Sequence, residues 1–132
     1  MAKSEFSKRL QRYVDLQEEI RIEERRKNAI PCNGDIMQRR AAASICDELQ
    51  VLLEKEDQEY EYLTKIINQL PRAIERQVMM ARYMDGQSWK QITEMVYGEQ
   101  PDFEEKAQNY QRYILRAHGE ALTHGNKIMQ QL

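Results

Sequence analysis

Apolar residues recur at alternating steps of four and three through the first part of the chain. Phe6, Leu10, Tyr13 and Ile20 fall on one heptad seam, with Gln17 at the position between the last two. This rhythm predicts a helix over about 4–29. It resumes with Ile45, Leu49, Leu52, Leu63, Ile66 and Leu70, interrupted by Glu56 and Glu59. A second helix is expected over 35–69, roughly 50 Å long at ~1.5 Å per residue. Such a helix cannot bury its stripe alone and needs the first helix, a partner chain or both. A coiled coil or a long helical hairpin follows. No segment alternates apolar and polar as a half-buried strand does.

Glycine and proline cluster at four breaks: Ile30 to Asp35, Gln69 to Pro71, Asp85-Gly86 and Tyr97 to Asp102. The last three cut the C-terminal half into three helices. Pro71 is expected at the first position of a support helix, where its missing N–H is no loss. Ile74, Val78 and Met79 form its apolar stripe, which runs into Tyr83. Asp85-Gly86 ends it with a left-handed glycine cap. Ser88 then starts a short helix, and Gln91 completes a capping box. Trp89, Ile92, Met95 and Val96 give that helix its buried side. Asp102, with Glu105 three residues on, caps a third helix that carries Tyr110, Ile114, Ala117 and Ala121 on one face, with Tyr113 and Leu122 at its edge. His124-Gly125-Asn126 is expected to end it.

The predicted fold class is therefore all-α. A helical hairpin or coiled-coil oligomerisation region, 1–69, precedes a three-helix domain with helix-turn-helix order, 70–132. In that order the brace helix crosses the backbone of a duplex and the next helix enters the major groove. The groove-facing side of the third helix is the one opposite its apolar stripe, where Gln108, Gln111, Arg112, Leu115 and Arg116 lie. Gln and Arg suit bidentate reading of adenine and guanine edges. Arg112, nearer the helix start, is the candidate base contact. Arg116 and Lys90, in the first turn of the short helix, are candidate phosphate contacts.

Charge narrows this picture without deciding it. The formal net charge is −2. Residues 1–70 carry 12 basic and 14 acidic side chains, and 71–132 carry 8 of each. Neither half is the basic body that announces nucleic-acid binding by itself. Gln108 to Lys127 has a local balance of +2. Asp47 to Glu61 holds seven acids against Lys55, either a solvated face or a surface for a basic partner.

Hydropathy shows no run near the ~20 apolar residues of a membrane span, and the first residues show no signal-peptide core. Cys32 and Cys46 lack metal-type spacing and read as free thiols of a reducing cytoplasm. His118 and His124, six apart, miss the i,i+4 spacing that pairs ligands on a helix, so no metal and no cofactor is expected. There is no glycine-rich phosphate loop, no nucleophile with a base and no distinctive carboxylate pair, so an enzyme acting on a small-molecule substrate is not the reading.

The string LPRAIERQVMMARYMDGQSWKQITEMV, residues 70–96, resembles region 4 of sigma-70 type sigma factors. Leu70-Pro71, Arg76, Val78, Arg82-Tyr83, Asp85-Gly86, Ser88-Trp89 and Ile92 carry the likeness. YQRYILRAHGEAL, residues 110–122, resembles the recognition helix of the ArpU and RinA type late transcriptional regulators of Gram-positive phages. The resemblance implies a sequence-specific regulator of phage or mobile-element genes, with double-stranded DNA and RNA polymerase as partners. Paired readers at fixed half-site spacing make a homodimer the expected assembly. One departure from the motif is plain: Tyr97 to Asp102 and the turn after it exceed the roughly three-to-four-residue turn of a simple helix-turn-helix. Two other readings stay open: a phage small-terminase-like DNA-packaging subunit, which forms a ring, and a helical protein-interaction adaptor that binds no DNA.

Overall fold

The computed structural model describes residues 3–31 and 33–132. Cys32 lies outside them, and Cys46 is an exposed free thiol. The protein is all-α. Helix α1 spans Glu5–Asn28, α2 Ile36–Ile67, α3 Ala73–Met79, α4 Trp89–Tyr97 and α5 Phe103–Gln130, and a π-helical turn, Met80–Met84, extends α3. Among the described residues no helix is long and apolar enough to cross a membrane. The chain divides into two compact units: Gln11–Glu61, and the residues up to Leu10 together with Tyr62–Leu132.

In the Gln11–Glu61 unit, Ile20, Ile45 and Leu49 are buried together, with Leu16, Ile30 and Leu52 packed against them. Two of the three polar breaks in the heptad seam, Gln17 and Glu56, are explained here. Tyr13 is buried; its hydroxyl donates to Glu56 Oε1 at 2.6 Å and accepts from Gln17 Nε2 at 3.1 Å. A polar atom on a seam costs about 1–3 kcal/mol if left without a partner; each of these three has one. Desolvation and the Glu56 carboxylate push the Tyr13 hydroxyl well above its ordinary pKa. Early residues of α1 thus meet late residues of α2, so the two helices run antiparallel. Asp35 opens α2 with reciprocal bonds: its Oδ1 accepts from the Gln38 N–H at 2.9 Å, and Gln38 Oε1 accepts from the Asp35 N–H at 3.0 Å.

In the other unit, Val78, Ala81, Ile92, Ile114 and Ala117 form a buried cluster flanked by Ile74, Trp89, Val96 and Tyr97. Full burial of an aliphatic side chain such as Ile92 or Ile114 contributes about 1.5–3 kcal/mol. Two boundaries and one cap depart from the sequence expectation. Pro71 lies outside α3, because Arg72 in extended backbone is the N-cap. Helix α5 does not stop at His124-Gly125-Asn126 but continues to Gln130. Gly125 lies inside the helix with the ring of Phe6 where a β-carbon would be, and the Phe6 N–H donates to Asn126 Oδ1 at 3.3 Å. Glycine here serves close packing, not chain termination. Asp102 is the α5 N-cap in position only, with no side-chain cap bond.

A buried acid anchors α3 to α5. Glu75 is fully buried. Its carboxylate accepts from Arg72 Nε at 2.8 Å and from His124 Nδ1 at 2.6 Å. Arg72 also pairs with Glu120. Burial alone raises the Glu75 pKa; the bonds from His124 and Arg72 outweigh it and hold the carboxyl below its ordinary value.

Candidate nucleic-acid interface

Helix α4 starts as the sequence predicts. Ser88 Oγ accepts from the Gln91 N–H at 3.2 Å and Gln91 Oε1 accepts from the Ser88 N–H at 2.8 Å. Gly86 precedes it with φ +69°, in the left-handed region that only glycine enters without cost. The π-helical turn widens the end of α3. Asp85 N–H reaches Met80 O and Gln87 N–H reaches Ala81 O, both at 2.9 Å. Ile92 and Thr93 are the buried side of α4. Met95, expected there, is 50% exposed. Two residues closer to the helix start, Thr93 takes the inward position instead, its hydroxyl donating to Trp89 O at 2.7 Å.

Trp89, expected in the core, is only half-buried. It sits edge-on to His118, ring centroids 4.8 Å apart, with the Arg82 guanidinium 4.4 Å over its face. Tyr83 Oη and His118 Nε2 are 2.8 Å apart. Burial, and next the Arg82 charge, lower the His118 pKa. Both histidines therefore have protein partners, and no cluster of metal-ligating side chains occurs among the described residues.

The long α4–α5 connection is ordered by aromatic stacking. Tyr97 stacks on Tyr110 at 4.7 Å, and Phe103 on Tyr110 at 6.1 Å. Tyr110 Oη donates to Asp102 Oδ1 at 2.5 Å. That bond is what removes Asp102 from its capping role; it raises the Tyr110 pKa to about 12 and lowers that of Asp102. Helix α5 kinks at Lys106, φ −117° and ψ 22°, so its straight part begins just after.

On that straight part the candidate residues separate. Ile114, Ala117 and Ala121 face inward, fully buried. Gln108, Arg112 and Arg116 are exposed, with Leu115 42% exposed beside them. Gln111 is half-buried at the edge of the strip. Lys90 is exposed on α4, and no hydrogen bond or ion pair joins it to the α5 strip among the described residues. Arg116 also borders a cavity of about 200 Å³ with Arg72, Ile74, Tyr97, Tyr113 and Ala117.

Sequence reasoning missed the aromatic clasp and the part of Arg82. Four aromatic rings between 97 and 113 were the available signal; for Arg82, whose Nη1 also donates to Gln87 O at 3.2 Å, the pattern held none. No family model matches the chain, and no curated protein or solved structure matches it either.

Proposed function

We propose that this protein is a sequence-specific DNA-binding transcriptional regulator of phage or mobile-element genes, reading duplex DNA with α5. One observation carries the reading: Gln108, Arg112 and Arg116 form a solvent-facing strip directly opposite the buried Ile114, Ala117 and Ala121. Helix α4, led in by a complete capping box, braces the same helix. Side chains able to pair with base edges and with phosphate thus share one rigid, exposed helix face.

The sigma region 4 resemblance of residues 70–96 adds RNA polymerase as a partner, with a homodimer presenting two copies of α5. Arg112 takes the base contact; Arg116 and Lys90 take phosphates. The packaging-subunit alternative differs in assembly, a ring in place of a dimer. The adaptor reading is favoured by one observation, the kinked, clasped α4–α5 connection, which is longer than a simple helix-turn-helix turn. Competition binding of parent, Arg112→Ala and Arg116→Ala to selected and scrambled duplexes tests the proposal.

A further inference from the structure

The Gln11–Glu61 unit carries a surface groove of about 440 Å³ between its two helices, lined by Glu24, Lys27, Cys46, Leu49, Gln50 and Leu53 among others. Leu53 is 43% exposed, and Cys46 is exposed seven residues before it, on the same side of α2. An apolar pair one heptad apart on an open helix face is the pattern that a second helix covers.

The charge of this unit is divided along its length. Residues 21–40 carry six basic and three acidic side chains. Residues 11–20 and 41–61 together carry two basic and ten acidic ones. Because α1 and α2 run antiparallel, these groups collect at opposite ends, one positive and one negative. A second copy laid parallel would set acid against acid. Laid antiparallel, it sets the positive end of each copy on the negative end of the other.

The two patterns agree on one register. A two-fold axis beside Leu49 and Gln50 puts Cys46 opposite Leu53 of the partner. The same axis brings Arg39 and Arg40 opposite the acidic stretch around Glu59. The groove, lined by Cys46, Leu49, Gln50 and Leu53, is centred at that point. We infer that this groove is the contact face of a two-fold-symmetric dimer in which the α2 helices of two copies cross antiparallel near Gln50. The interface is isologous, so each substitution acts twice. This inference stands on the Gln11–Glu61 unit and is independent of whether α5 reads DNA.

The test uses the full chain without DNA. Sedimentation equilibrium is expected to show a dimer of the 15.8 kDa chain that weakens as salt rises. Leu53→Glu is expected to weaken it at least about tenfold while circular dichroism stays helical, since Leu53 is already part-exposed; two charges per interface enter an apolar contact. Val51→Glu, two residues away and off that face, is expected to leave the dimer unchanged. Direction is read by a short bis-maleimide cross-linker with Cys32 replaced by serine and Cys46, which lies in the groove, by the apolar alanine. Gln50→Cys is expected to cross-link, whereas Asp57→Cys is not, because its two copies lie about 22 Å apart along the helices at ~1.5 Å per residue. A monomer at high micromolar concentration overturns the inference. So does a dimer indifferent to Leu53→Glu, or equal cross-linking at both positions.

Discussion

The ring of Phe6 fills the space that a β-carbon on Gly125 would need, although the two residues stand at nearly opposite ends of the sequence. The contact gives Gly125→Ala a definite sign. Helix propensity alone favours alanine by ~1 kcal/mol, while overpacking a filled site costs ~1–3 kcal/mol. Net destabilisation, up to about 2 kcal/mol, is expected in urea melts. Gly119, in the same helix, has nothing within 4 Å of a built β-carbon. Gly119→Ala is expected to stabilise by up to ~1 kcal/mol. Equal effects at the two glycines would contradict the packing.

Trp89→Ala is expected to cost about 2 kcal/mol, below the ~3–5 kcal/mol of a fully buried aromatic, because the side chain packs against the core cluster without being fully buried. Its removal also uncovers His118 and frees Arg82. The His118 pKa, followed by NMR, is expected to move back toward an ordinary histidine value as desolvation is relieved.

His118 and Glu75 shape the acid limb of stability, with the part-exposed Asp102 adding to the lower window, and their signs agree. His118 is held below its ordinary pKa in the folded state. The unfolded chain therefore binds more protons there, and stability falls as pH drops below about 6.5 toward the folded value. Glu75 is also lowered. Its contribution is complete above the unfolded carboxyl range, about pH 4.3, and is lost as pH falls through the folded pKa. Urea midpoints measured against pH are expected to decline in these two windows. His118→Asn is expected to flatten the upper one and Glu75→Gln the lower. A parent curve flat from pH 7 to 3 would rule out both assignments.

The all-α class and nearly every helix start were legible in the sequence because they rest on local rules: heptad spacing, the Ser88–Gln91 capping box, the left-handed Gly86. What escaped depends on partners beyond the neighbouring turn, from eight residues away to the other end of the chain. His124-Gly125-Asn126 looks like a helix end until Phe6 is placed on Gly125. Glu56 looks like a fault in the seam until the Tyr13 hydroxyl meets it. Asp102 looks like a cap, and Tyr110 takes its carboxylate. Local chemistry proposes these roles and tertiary contacts reassign them. The exposed strip of Gln108, Arg112 and Arg116 was readable because it follows from helical periodicity about buried Ile114 and Ala117.

The measurement closest to the central claim is competition binding to duplexes selected from a random pool and to scrambled controls, across a range of salt. Arg112→Ala is expected to lose about 1–3 kcal/mol on selected duplexes and to relax preference at one position. Arg116→Ala is expected to weaken all duplexes alike and to reduce the salt slope by about one unit. With 20 basic against 22 acidic side chains, the parent slope is expected to be shallow beside that of a strongly basic binder. If both variants bind every duplex as the parent does, α5 is not a reader of DNA and the regulator reading fails.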